Sequence, residues 1–534
     1  MPSTSGFTSF DWMVVIAYVA ACSAAGLWVR RYASKLDHFI VAGREVSLYL
    51  GIASLAATEF GLVTAMYTAQ YGYRAGFAPI LIGVFFAVPM LVMGKTGFVV
   101  EKLRATGAAT IAEALERKFG PDVRWWAGLI VALSGILNMG IFLRVGGEFV
   151  VTFTGIGDRA LEIGGLRLGY LELIMSGLVG VVLLYTVAGG MLSVLVTDLL
   201  QFLILGAGLV LVTVLCLHRV GWDAMVAKVS AVHGAGGFNP FECEALGGWS
   251  GLLFWILVTF GVQCTQQTTI ARVLAAKDAA TAARIYRWTG FYYVGRWALP
   301  IVWGVLALCL LDPAAYPVND PVASRLAMPA ALAQILPVGV AGVVLAAMLA
   351  AEMSTDSSYM LCWATVIVHD VVKPKCRTPL TPKAELRLTR LVVVAIGVFL
   401  LVFGLWYEIP GAVFDYLGLT ATIYLSGVTT LLVAALYWPR ATRTGAYAAL
   451  GLGAAAPIAW LAYDLARRYG GASWPEVSGT SAGLTAFALA AAGMVAGSLL
   501  TEPEMWEGPP GPDSRPAGRG RKPAPTLALS GKED

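Results

Sequence analysis

Charge is scarce in this chain. Only 13% of its 534 residues are Asp, Glu, Lys or Arg, about half the share of a soluble domain. That shortage excludes an ordinary aqueous globular fold. Histidine is scarcer still: the four residues are isolated and form no metal-ligand pattern. The seven cysteines never stand in Cys-x-x-Cys spacing and mostly lie in apolar runs. They read as small buried hydrophobes rather than a zinc or redox centre. A nucleotide-binding loop is missing too. Gly94-Lys95-Thr96 matches the end of one, but Pro89 stands where its first glycine belongs, and no strand precedes it. With no His-Glu-x-x-His motif either, the sequence argues against an ATP-driven pump, a protease, or an enzyme. The net charge of +4 is small and gives no case for nucleic acid.

What the chain does have is long apolar runs. Hydrophobic residues make up 58% of it and the mean hydropathy is +0.73. The runs approach the ~20 residues that a spanning helix needs. They predict an all-α polytopic membrane protein with about thirteen crossings, at 10–29, 47–72, 77–98, 125–153, 168–188, 193–217, 249–271, 285–311, 334–369, 388–406, 411–436, 444–466 and 480–500. No basic stretch or small-residue cleavage site precedes the first run, so it reads as an uncleaved helix rather than a signal peptide. The loops set the orientation. With the N-terminus outside, inner loops carry nearly three basic residues for each one in the outer loops. Arg272 counts among the inner charges and Arg325 among the outer ones. This asymmetry predicts N-out and C-in. Two long outer loops, 218–248 and 312–333, have room for short surface helices. Residues 1–501 form one transmembrane domain. From residue 502 to 534 the chain is rich in Pro, Gly and charge, and it reads as a disordered cytoplasmic tail.

Polar residues at membrane depth mark candidate transport sites. The richest stretch is Leu349-Ala-Ala-Glu-Met-Ser-Thr-Asp-Ser-Ser358, inside the ninth crossing. Ser354 and Thr355 follow Ala351 by one turn and set two hydroxyls and a carbonyl on one face. Oxygen ligands suit a hard cation, and small alanines let a neighbouring helix approach. The plain alternative is that these hydroxyls bond back to their own helix. Glu59 lies in the second crossing, bracketed by Gly51, Gly61, Gly72 and Gly76. That pattern predicts a broken helix with free backbone carbonyls. Arg144 and Glu148 have the spacing of an intrahelical ion pair. Arg296 can reach an interface, an acid or the substrate. Asp198 either caps the sixth crossing against the helix dipole or serves an inner ion exit. Glu352 and Asp356, also four apart, can hold a proton or pair with Arg144 or Arg296.

Five segments, in order, resemble one known family. They are Asp37-His-Phe-Ile-Val-Ala-Gly-Arg44; Tyr185-Thr-Val-Ala-Gly-Gly-Met-Leu-Ser-Val-Leu-Val-Thr-Asp-Leu-Leu-Gln201; Gln266-Gln-Thr-Thr-Ile-Ala-Arg-Val-Leu-Ala-Ala-Lys277; Leu349–Ser358; and Tyr437-Trp-Pro-Arg-Ala-Thr-Arg-Thr-Gly-Ala446. The chain resembles the sodium:solute symporters over roughly residues 8–500. The resemblance implies the LeuT-type five-plus-five inverted repeat, with the second to sixth crossings in one repeat and the seventh to eleventh in the other. It implies sodium as the co-transported ion and a small organic solute as partner: an amino acid, carboxylate, vitamin or sugar. It places sodium on the carbonyls of Ala57, Phe60 and Ala351 and the hydroxyls of Ser354 and Thr355. Glu59 and Asp198 then support the ion or a gate. Thr64, Thr259 and Gln263 are the polar candidates for the solute.

Three positions depart from the family pattern. Glu352 replaces a small or apolar residue, and Gln266 replaces a common Asp or Asn. Phe77–Met93 lacks the acidic ligand that sugar carriers have on the third crossing, which disfavours a sugar. Two other readings stay open on sequence: proton coupling on the same fold, and a membrane sensor. Oligomeric state is not legible.

Overall fold

The computed structural model describes residues 6–29, 31, 36–157, 160–163, 166–409, 411–469, 474–475 and 477–502. The expected tail lies outside the described residues beyond Glu502. In a bilayer an apolar run can satisfy its backbone only as a helix or within a closed barrel, and helices occupy these runs. α1 is Ser9–Val29 and α2 is Leu36–Val41. The second expected crossing is two helices, α3 Leu48–Glu59 and α4 Leu62–Ala75, which meet at 57°. α5 is Ile80–Thr96. The short α6 (Val100–Ala105) and α7 (Ile111–Phe119) lead to α8 (Pro121–Met139) and α9 (Phe142–Thr154).

A small antiparallel hairpin, β1 Ala160–Ile163 against β2 Leu166–Gly169, precedes α10, Tyr170–Val220. The two long loops hold α11, Trp222–His233, and α15, Pro321–Ile335. Between them come α12 Gly248–Thr265, α13 Gln267–Ala275 and α14 Ala279–Leu310. α16 Val340–Val366, α17 Pro382–Trp406, α18 Val413–Tyr437, α19 Arg443–Tyr469 and α20 Gly479–Leu500 follow.

Among the described residues ten helices are long and apolar enough to cross a membrane, or eleven if the bent pair is one span. The other two expected crossings correspond to α5, a shorter helix of 17 residues, and to α10. At a rise of 1.5 Å per residue, α10 would run about 77 Å as one rod, more than twice the ~30 Å hydrocarbon core. Its 51 residues cover two expected crossings, and the backbone leaves helical geometry between them at Gly190 (φ 56°, ψ −145°).

α16 is the central element. From Val344 to Val366 every residue is buried. Both ends are fastened. At the start, buried Asp11 of α1 accepts the amides of Gly339 (2.7 Å) and Gly342 (2.8 Å), so a carboxylate from another helix caps this N-terminus. At the far end, Asp370 receives Arg124 Nε at 2.8 Å, and Arg124 also holds Glu116. His369 sits between Glu113 and Glu385, each at 3.2 Å.

The conformation of Gly190 lies in a region that is essentially closed to side chains. Gly190→Ala is expected to cost about 1–3 kcal/mol, read as a lower unfolding temperature in detergent. An unchanged melting curve would show that the break does not need glycine.

Candidate functional site

The site begins at the break between α3 and α4. α3 ends at Glu59, and Phe60 (φ −105°, ψ 76°) and Gly61 (φ −74°, ψ 164°) are non-helical. The broken helix expected around Glu59 is therefore present. Thr355 of α16 donates its hydroxyl to the Thr58 carbonyl at 2.9 Å. A Cβ on Gly61 would stand 2.7 Å from Thr355 Oγ1, so glycine permits this approach. The sequence alternative of a back-bond within α16 does not hold for Thr355. Nor does it hold for Ser354, which donates to Asp198 Oδ1 at 2.5 Å. With its proton engaged in these bonds, each hydroxyl still has lone pairs of the kind a cation ligand needs. Ala57 and Phe60, on either side of Thr58, and Ala351, one turn before Ser354 and Thr355, are all fully buried.

A buried ion pair lies against this cluster. Asp198 of α10 and Arg272 of α13 are 3.1 Å apart and neither side chain has any exposure. Asp198 also accepts Ser54 at 2.5 Å. Arg272 donates to Thr58 and Ser358, each at 2.6 Å, and to Ser54 at 3.1 Å. Four helices, α3, α10, α13 and α16, thus meet on one carboxylate and one guanidinium. This corrects two expectations. Asp198 does not cap a helix: it sits two turns beyond Gly190, and its carboxylate bonds Ser54, Arg272 and Ser354 on other helices. Arg272 is not a loop charge. Its sequence signal was available, since an acid inside an apolar helix requires a counter-charge. Arg325, counted among the outer loop charges, is likewise buried, with Nε 2.7 Å from Glu148.

Beyond the break lies a cavity of about 80 Å³. Its polar lining includes Thr58, Glu59, Thr64, Asn138, Gln266, Arg296 and Thr355, and its aromatic lining Tyr67, Phe86, Trp255, Tyr359 and Phe414. Glu59 pairs with Arg296 at 3.3 Å and accepts Thr269 (2.8 Å) and Tyr293 (3.1 Å). Arg296 donates further to Tyr67 (3.1 Å) and Thr64 (3.3 Å), and its Nε has no hydrogen-bond partner among the described residues. Of the three solute candidates, Thr64 lines the cavity. Thr259 and Gln263 do not. Thr259 bonds its own helix at Ile256, and Gln263 reaches the Phe86 carbonyl. The polar residue of this region that lines the cavity, beside the apolar Trp255, Val258 and Val262 of α12, is Gln266, at the non-helical junction of α12 and α13 (φ −62°, ψ 112°). It bonds Tyr359 at 2.9 Å and also Tyr424. A second broken span was not legible, because no glycine marks it.

Above the cavity the rings close ranks. Trp255 stacks on Phe414 at 4.1 Å, Phe414 on Tyr67 at 4.7 Å, and Trp297 meets Phe414 edge-on at 5.0 Å. A larger chamber of about 650 Å³, lined by Asp415, Tyr416, Trp460 and Asp464 among others, shares Trp255 with the cavity. The remaining membrane charges divide simply. Arg144 pairs with Glu148 at 3.1 Å as its spacing indicated. Glu352 and Asp356 pair with neither arginine.

Comparison with known proteins follows the same lines. A family model described as the sodium:solute symporter family matches residues 39–453. A sodium/glucose cotransporter of Vibrio parahaemolyticus is 27% identical over 492 residues, covering 85% of each chain. The high-affinity proline transporter PutP of Bacillus subtilis is 27% identical over 453 residues, 82% of this chain and 89% of its own. The solved structure of a Na+-coupled sialic acid symporter, in a substrate-bound outward-open state, superposes with a TM-score of 0.73. At 18% identity it covers 93% of this chain and 99% of its own, and the fold is shared.

Arg272→Met leaves Asp198 buried without its counter-charge, which costs about 3–5 kcal/mol. Arg272→Met combined with Asp198→Leu removes both charges and is expected to recover most of that loss. Thermal unfolding of the two variants checks this; equal stability would contradict the pairing.

Proposed function

The chain belongs to the sodium:solute symporter family and is a multi-pass sodium-coupled symporter of a small organic solute rather than an enzyme, and from that premise we propose where ion and solute are held. Sodium is the co-transported ion. Its ligands are the carbonyls of Ala57, Phe60 and Ala351 and the hydroxyls of Ser354 and Thr355. The observation that carries this reading is the contact of the α3–α4 break with Thr355, through the 2.9 Å bond to Thr58 and the close face of Gly61. An unwound segment supplies carbonyls free of helix bonds, and the hydroxyls arrive from the other repeat. Asp198 acts from behind: it orients Ser354 while Arg272 balances its charge. Glu59 acts on the solute side, where it holds Arg296.

The solute is small, with a carboxylate and an apolar body. Arg296 and Glu59 line the cavity together, Arg296 Nε has no hydrogen-bond partner among the described residues, and most of the other lining is aromatic or aliphatic. A carboxylate suits a guanidinium, and an amino group beside it would suit Glu59. A sugar needs many directed hydrogen bonds, and the polar groups of this lining largely bond protein partners already. These relatives include both a sugar and a proline carrier, so relatedness alone does not choose.

Transport proceeds by alternating access. Sodium draws α3 against α16 and completes the pocket, one bundle rocks against the rest, and both cargoes leave. One charge moving through 100 mV supplies about 2.3 kcal/mol, and a tenfold sodium gradient about 1.4 more. Their sum would support a solute gradient of roughly 500-fold. The excess of basic residues in the loops given to the inner side supports a cell-membrane protein with the N-terminus outside and the C-terminus cytoplasmic.

Two measurements test this reading. Ser354→Ala with Thr355→Ala is expected to abolish sodium-stimulated uptake in proteoliposomes while the protein still elutes as a folded species. Surviving sodium dependence would refute the ligand assignment. In a thermal-shift screen of amino acids, carboxylates, vitamins and sugars, stabilisation is expected from small carboxylates or amino acids, and only with sodium present. Stabilisation by sugars alone would overturn the solute reading.

A further inference from the structure

His369 stands just past α16, in a π-helical turn over Ile367–Val372, a geometry that recurs at functional sites. Both of its ring nitrogens face carboxylates. Nε2 lies 3.2 Å from Glu113 Oε2 of α7, and Nδ1 lies 3.2 Å from Glu385 Oε1 of α17. A neutral imidazole carries a single N–H, so one of those carboxylates would meet a lone pair. The geometry calls for the imidazolium, which donates to both. The turn itself is held from α8: Arg124 donates to the His369 carbonyl at 2.8 Å, and Trp125 to the Val371 carbonyl at 3.1 Å. The backbone that carries the ring is thus fixed to α8, and the two acids come to it.

The charges packed around the ring ask for the same proton. Glu113 and Glu116 of α7, Asp370 of the turn and Glu385 of α17 are four carboxylates, and Arg124 of α8 and Lys373 are the cations paired with them. Lys375 turns to the Trp125 ring, and α16 has no charged residue after Asp356. A neutral ring would leave those four anions around two cations. Burial alone would raise the pKa of Glu113, but the bond from His369 holds it down to about 2. This carboxylate is therefore ionised across the range in which an imidazole titrates.

The solute cavity hangs on α7. The first amide of that helix, Ile111, donates to Gln267 Oε1 at 3.3 Å. Gln267 opens α13 and follows Gln266, which lines the cavity. The Glu113 carboxylate also takes the Ala109 amide at 2.6 Å, so it fixes the entry to α7 as well as the helix. A chain of contacts thus runs from His369 through Glu113 and α7 to the second break.

We propose that His369 is a positioning residue for transport: as an imidazolium it clamps α7 to the foot of α16 and to α17, and through α7 it keeps the Gln266 break closed at the end of the molecule opposite Asp11. Loss of the proton frees Glu113, loosens α7, and opens a route to the cavity past α13. The clamp is present below the titration of His369 and is lost as the pH rises through it. The clamp itself needs only the contacts above. That its opening is a step of transport rests on the alternating-access reading.

Hydrogen–deuterium exchange of the purified full chain in detergent, corrected for the intrinsic pH dependence of exchange, reads the clamp directly. In wild type, α7 should lose protection about tenfold or more as the pH passes the titration, the order expected when hydrogen bonds to a charged group are given up. α7 should be unprotected at every pH in His369→Gln, and protected at every pH in His369→Arg, whose cation persists. α20, remote from this cluster, is the control. Wild-type protection in the Gln variant, an equal alkaline loss in the Arg variant, or a matching loss in α20 that marks general unfolding would each overturn the proposal. The wild-type comparison of α7 with α20 stands even where a variant does not fold. Repeating the wild-type series in sodium chloride and in choline chloride separates the two readings. Protection that follows pH but not sodium would uphold the clamp and fault the sodium-driven cycle instead. Protection that follows sodium and not the state of His369 would sink the clamp.

Discussion

A single desolvated ion pair, Asp198 with Arg272, organises the interior. Neither charge touches water, and each is tolerable only because the other is 3.1 Å away and hydroxyls satisfy what remains. Those hydroxyls, Ser54, Thr58, Ser354 and Ser358, belong to α3 and α16. The pair therefore sets how closely the two helices can lie, and with it the separation of the α3 break from Thr355. Replacing the pair with apolar side chains could leave a stable protein. It would also remove the acceptor that fixes the rotamer of Ser354.

Much of this was readable before any coordinates. Long uncharged runs could only be helices, the glycines around Glu59 pointed to a break, and Ser354 and Thr355 stood out as hydroxyls on an alanine-rich helix. What the sequence did not disclose were relations between distant segments. Arg272 sits at the end of an apolar run, where a charge is ordinarily a loop anchor; only folding brings it beneath Asp198. The break at Gln266 carries no glycine or proline, so periodicity continues through it. Thr259 and Gln263 were reasonable candidates by chemistry, yet helix rotation turned them from the cavity and brought Gln266 to it. Side-chain direction on a helix follows from tilt and neighbours, which a linear reading does not contain.

The membrane charges show how sharply burial sorts roles. Glu59, Glu148, Asp198 and Asp370 each face a cation, and Asp11 faces three amides and a hydroxyl. Glu352 and Asp356 face neither. They also stand on the same helix as Ser354 and Thr355. The difference between these groups lies in their partners and not in depth.

Trp255 belongs to both chambers, as a wall of the larger and of the smaller. Its indole stacks on Phe414, a contact that also ties α12 to α18. A solute moving from one chamber to the other along this indole would have to part that stack. Entry is then coupled to a small adjustment between those helices, and discrimination can be exercised in the rate of passage as well as in the strength of binding. A solute that fits the inner space well could still be refused for being slow at the door.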